Sequence, residues 1–144
     1  MTTSPPPEDL RGLHLHEWTS GNAVVLAAAG NVDMASAPAL ADHVGRVLRR
    51  RPATFITDFT DVRFLATAGM SILMEADRRS QEVLTSFRVV AAGKVTARPM
   101  QLLGIDGLLD MYPTVAAALR GSQDRRVQYC CSTLFFSHTI GADC

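Results

Sequence analysis

Three short β-branched or apolar runs, residues 23–29, 54–59 and 87–92, are each followed by a segment of helical periodicity bounded by Gly or Pro. This alternation restricts the fold more than any other feature of the chain. Strands separated by single helices are joined by right-handed crossovers, which set neighbouring strands parallel and lay the helices over the sheet. Ahead of the first crossover, Leu13, Leu15 and Glu17 alternate with His14, His16 and Trp18. Ser20-Gly21-Asn22 is a turn signal, so residues 13–18 and 23–29 read as a hairpin. The expectation is an α/β fold: a mixed, mostly parallel sheet of about four to five strands with an N-terminal antiparallel edge hairpin, covered by about four helices.

The first helix is expected after Ser36, with Pro38 in its first turn and its end near Arg51. Leu40, Val44, Val47 and Leu48 form its apolar stripe. The strand at 54–59 is read as ending with Asp58 and Asp61, and residues 58–69 as a strand-to-helix loop. A second helix follows over residues 70–83, with Met70, Leu73, Met74 and Ala76 facing inward. The third unit pairs the strand at 87–92 with a helix at 95–103, where Pro99 fits the first turn. Gly104-Ile105-Asp106-Gly107 breaks the chain, and a last helix runs from Pro113-Thr114 through Arg120. The reading is a flexible leader at 1–11, one domain at 12–121, and a mobile tail at 122–144.

With 144 residues, 47% of them hydrophobic, the chain is long enough to bury a core. Fourteen basic against fourteen acidic residues leave no net charge to gather nucleic acid or an anionic membrane, which points to a protein or a small ligand as partner. The longest pure apolar run, 23–29, falls far short of the roughly 20 residues a bilayer helix needs. The start lacks the basic and apolar regions of a secretion signal, and three cysteines, Cys130, Cys131 and Cys144, make no disulfide framework, so a cytoplasmic location is expected.

No catalytic or metal-binding constellation assembles from these residues. Gly93-Lys94 fails the phosphate-loop pattern, because the position that must be glycine is Arg88. His14 and His16 share a strand face without a third ligand, and Cys130-Cys131 with His138 lies in an aperiodic segment, so no metal is expected. No nucleophile-base pair or dinucleotide loop appears; neither catalysis nor a cofactor is expected. Thr67, directly before a helix start, is either a plain cap or a seat where free N–H groups and the helix dipole face an added phosphate.

The loop has company. Gly30-Asn31-Val32-Asp33 followed by Ser36-Ala37-Pro38, then the run from Asp58 to Gly69, then Gly104-Ile105-Asp106-Gly107-Leu108 with Tyr112-Pro113-Thr114, in that order and spacing, resembles the STAS domains of bacterial anti-sigma factor antagonists over residues 13–120. The resemblance implies a protein that binds a serine/threonine kinase-like anti-sigma factor and is released when phosphorylated at the start of the second helix. It makes Thr67 the phosphoacceptor position, with Asp33 and Asp58 as acidic neighbours. The implied docking face comprises Asn31, Asp33, Ser36, Asp58, Ala66, Thr67, Ala68, Gly69, Met70, Ser71 and Glu75. Ala66 stands where the family usually has Asp, Ala68 where it has Ser or Thr, and Asn31 where it has Glu, so the phosphorylation loop is degenerate and weak modification is expected. The rival expectation is a STAS module that senses a ligand or nucleotide, or serves as a scaffold, without sigma control.

Overall fold

The computed structural model describes residues 8–9 and 12–121; the rest of the expected leader, 1–7 and 10–11, and the expected tail, 122–144, lie outside the described residues. The elements run β1 (Glu8–Asp9), β2 (Leu13–Ser20), β3 (Ala23–Val32), α1 (Ala37–Arg49), β4 (Thr54–Leu65), α2 (Thr67–Glu82), β5 (Ser86–Val90), α3 (Ala97–Leu102), a 3-10 turn (Ile105–Gly107) and β6 (Met111–Tyr112). A final helix, α4, occupies residues 115–121, up to the last described residue. The six strands lie side by side in chain order. β1, β2 and β3 pair antiparallel, and β3 to β6 pair parallel, as hairpin and crossovers require. The ladder starts within the segment read as a leader, because Glu8 and Asp9 pair with Leu15 and His14.

Alternation along the strands divides the core between two faces. Leu13, Leu15, Val24, Leu26, Phe55, Phe59, Phe87 and Val89 point to one face, where α1 covers them with Leu40, Val44, Val47 and Leu48, α2 with Met70, Leu73 and Ala76, and α3 with Met100. The opposite face carries Ala23, Val25, Ile56, Val90 and Tyr112, closed by Ala118 of α4 with Trp18 and Leu119 at the margin. Phe55 and Phe87 meet with ring centroids 5.5 Å apart, in tilted contact between neighbouring strands.

The largest departure from expectation is the length of β4. Its pairing with β3 continues to Val32 opposite Leu65, so most of the segment expected to be a loop is strand. Two register shifts explain why the pattern misleads: they fall between Ala27 and Ala29 and between Gly30 and Asn31 of β3. Each slips the inward phase of β4, so that Phe59, Val62 and Leu65 are buried at a spacing of three rather than two. Asp58 and Asp61 therefore lie within β4, not at its end. Thr67 and Ala68 belong to the first turn of α2, not to a loop.

Candidate functional site

At the carboxyl ends of β3 and β4 the chain has only Ala66 between strand and helix. Its N–H donates to the Val32 carbonyl (2.8 Å), and its extended backbone (φ −85°, ψ 167°) occupies the N-cap position of α2 without a side-chain acceptor. Thr67 is thus the first helical residue and is not the cap. The N–H groups of Thr67 and Ala68 belong to the first turn, which no preceding carbonyl of the helix can satisfy, and the positive end of the helix dipole points the same way.

What holds α2 here is a close approach. A Cβ on Gly69 would stand 2.4 Å from Cγ1 of Val32 and 2.7 Å from Cδ1 of Leu65, so only glycine lets the first turn sit on the strand ends. Gly69, Met70, Leu73 and Ala76 are buried, while Thr67, Ser71 and Glu75, spaced by four, form the exposed stripe of the same helix. Ala66 and Ala68 are half-buried between them.

The neighbouring turn is built around Ser36 and Asp33. Ser36 is fully buried, and its hydroxyl donates to the Asn31 carbonyl (2.8 Å) and accepts from the Asp33 N–H (3.0 Å). Ser36 occupies the N-cap position of α1 but gives the helix no side-chain cap. Asp33 Oδ1 accepts from the N–H groups of Ser36 and Ala35, both at 3.0 Å. The Ser36 N–H bond is the main reason the Asp33 carboxyl is held below its ordinary pKa. Asn31 is exposed and pairs with Phe64 across the two strands.

Asp58 is not brought to Thr67. It stands opposite Ala27 and Val90, seven residues before the end of β4, and its Oδ1 accepts from the N–H and hydroxyl of Thr60. Of the residues assigned to the docking face, Ser36, Gly69 and Met70 are buried and support that face from beneath. Asn31, Thr67, Ser71 and Glu75 are exposed upon it. The Glu75 carboxylate is engaged by Arg78, whose hydrogen bond depresses the Glu75 pKa. Two residues escaped the sequence reading: Met34, 82% exposed in the turn after β3, and Phe64, 53% exposed one residue before Leu65. Isolated apolar residues are ordinary on surfaces, so only their position beside this helix start makes them stand out. Among the described residues no three His, Cys, Asp or Glu side chains gather as a metal site, and no described helix is long and apolar enough to cross a membrane.

Comparison with known proteins places this arrangement among relatives. The profile of the STAS domain matches residues 18–118. The anti-sigma-F factor antagonist RsfB of Mycobacterium tuberculosis is 33% identical over 103 residues, which cover 72% of this chain and 84% of the relative. The crystal structure of an anti-sigma factor antagonist from Mycobacterium paratuberculosis superposes with a TM-score of 0.74 at 32% identity, covering 77% of this chain and 94% of the other. The anti-sigma factor antagonist SpoIIAA in its unphosphorylated form shares the fold, with a TM-score of 0.61 at 15% identity over 76% of this chain and 96% of its own.

Proposed function

The chain belongs to the STAS domain family, and from that membership we propose that it acts as an anti-sigma factor antagonist in the cytoplasm, binding a kinase-type anti-sigma factor through the start of α2. The observation that carries this reading is the exposed stripe Thr67, Ser71 and Glu75 on a helix whose opposite side is locked into the core by Gly69, Met70 and Leu73. Asn31, Asp33, Ala66 and Ala68 complete the face, with Met34 and Phe64 as its apolar contacts. A fixed surface of this kind works by binding rather than by turnover.

Thr67 is the phosphoacceptor position of this face. A phosphate there would bring a charge of about −2 onto a surface shaped for a partner. The alanines on either side withhold the polar neighbours that the family's loop usually supplies. The protein is therefore competent to bind in its unmodified state and is modified slowly.

The test uses the purified anti-sigma-F factor of Mycobacterium tuberculosis, titrated by calorimetry against wild type and Thr67→Glu. Wild type should bind, and Thr67→Glu should bind at least tenfold more weakly with an unchanged melting temperature. Equal affinity of the two proteins would remove Thr67 from the interface. Intact-mass measurement with the same factor and ATP should show little phosphate on wild type and much more on the triple variant Ala66→Asp, Thr67→Ser, Ala68→Ser.

A further inference from the structure

The groove between α1 and α2 continues away from Thr67 along the outer surface of the helix layer, and it changes character along its length. The near half, about 170 Å³, is lined by Ala41, Val44, Ile72 and Ala76 with Ser71 and Glu75 at its rim. The far half, about 360 Å³, is lined by Ala41, Asp42, Gly45, Arg46, Arg49 and Arg79. Ala41 and Arg79 belong to both, so the two halves adjoin.

Arginines of both helices converge over Gly45. A Cβ there would lie 3.6 Å from both terminal nitrogens of Arg79 and 3.7 Å from one of Arg49, so the two guanidiniums, from different helices, close over the bare backbone of α1. Arg50 and Arg78 have carboxylate partners in Glu17, Glu75 and Glu82. Arg46, Arg49 and Arg79 form no ion pair among the described residues. Asp42 is the one acid lining that half; Glu75 acts on Arg79 from the near half but is already engaged by Arg78, so the arginines remain in excess. Guanidiniums gathered without matching carboxylates suit planar, bidentate recognition of an acidic group supplied from outside.

We propose that this groove extends the docking face and takes an acidic, amphipathic segment of the partner protein, its apolar side chains entering between Ala41 and Ile72 and its Asp or Glu carboxylates meeting Arg46, Arg49 and Arg79. The proposal rests on the antagonist reading. The favoured occupant follows from charge complementarity and from continuity with Ser71 and Glu75, which belong to both surfaces.

The test adds the variant Arg46→Glu, Arg49→Glu, Arg79→Glu to the same titrations, at 50 and 300 mM salt. The residues changed are at the groove surface, and a thermal melt establishes that the variant is folded. Wild-type affinity should fall with salt, and charge reversal should weaken binding at least tenfold at 50 mM and flatten that salt dependence. If Thr67→Glu weakens the complex while charge reversal leaves affinity and salt dependence unchanged, the groove proposal is overturned and the antagonist reading stands. If wild type binds and neither variant weakens the complex, the groove proposal is overturned and Thr67 leaves the interface; if wild type forms no complex, the groove proposal and the antagonist reading fall together.

Discussion

Ala66 is the residue at which local chemistry and inherited role diverge most. It has the extended backbone of an N-cap and no acceptor to offer, and α2 has no acidic residue in its first turn. Asp at this position could accept from the N–H of Ala68 and place a negative charge at the positive end of the helix, worth about 1 kcal/mol. Ala66→Asp should therefore raise the melting temperature by about 4 °C for a domain of this size. An unchanged or lower value in a thermal melt followed by circular dichroism would mean that the first turn is already satisfied in another way. Residue type was legible at this site, since Thr67 and its alanine neighbours could be read directly from the chain. Burial was not. Ser36, assigned to the docking face, is fully buried in a turn that it organises, while Asp58, assigned as a neighbour of Thr67, is held apart by strand length. Neither distinction has a signature in a list of residues, because each depends on which carbonyl a hydroxyl meets and how far a ladder runs.

At the level of elements, the alternation of runs made the order of strands and helices legible, and the phase slips of β4 concealed its length. One tie between elements has a measurable pH signature. Glu17 of β2 meets two residues of the first helical unit, with Oε1 2.9 Å from Nε2 of His43 and Oε2 2.7 Å from the Arg50 guanidinium. Burial opposes ionisation of Glu17, but the hydrogen bonds and charges of His43 and Arg50 outweigh it and hold the pKa below the ordinary value. A carboxyl depressed on folding contributes stability above its unfolded pKa, about 4.3, and that contribution is lost as the pH falls through the folded value. Glu17→Gln should be less stable than wild type at pH 7 by up to about 1 kcal/mol, since the pair is partly solvated. The gap should close below about pH 4. Urea titrations of both proteins across that range would contradict this if the gap stayed constant with pH.

On the scale of the whole molecule, the sheet needs cover on both faces, and α4 supplies it on the side away from the other helices. Arg88 shows the dependence. It sits within an apolar strand run that gives no hint of a buried charge, yet it is only 2% exposed and donates to the Ala118 carbonyl of α4 at 2.7 Å. The Tyr112 hydroxyl donates to the Gly121 carbonyl in the same helix (3.2 Å). A chain ending at residue 114 would expose Val25, Ile56 and Val90 to water and remove the carbonyl that Arg88 meets, leaving its guanidinium to solvent and Asp110. It should fail to melt cooperatively, whereas a chain ending at residue 121 should retain the transition of the full chain. Calorimetric melts of the two chains decide this, and a cooperative transition in the shorter one would show that α4 is dispensable. The seat of α2 on Val32 and Leu65 has a different consequence, for the way a signal could be written on this protein. With no room beneath Gly69, the first turn cannot sink toward the strand ends when something is added to Thr67. A modification there would be read as charge and bulk on an unchanged outline, and a partner would meet a stamp already cut to shape, with little ordering left to do on this side of the complex.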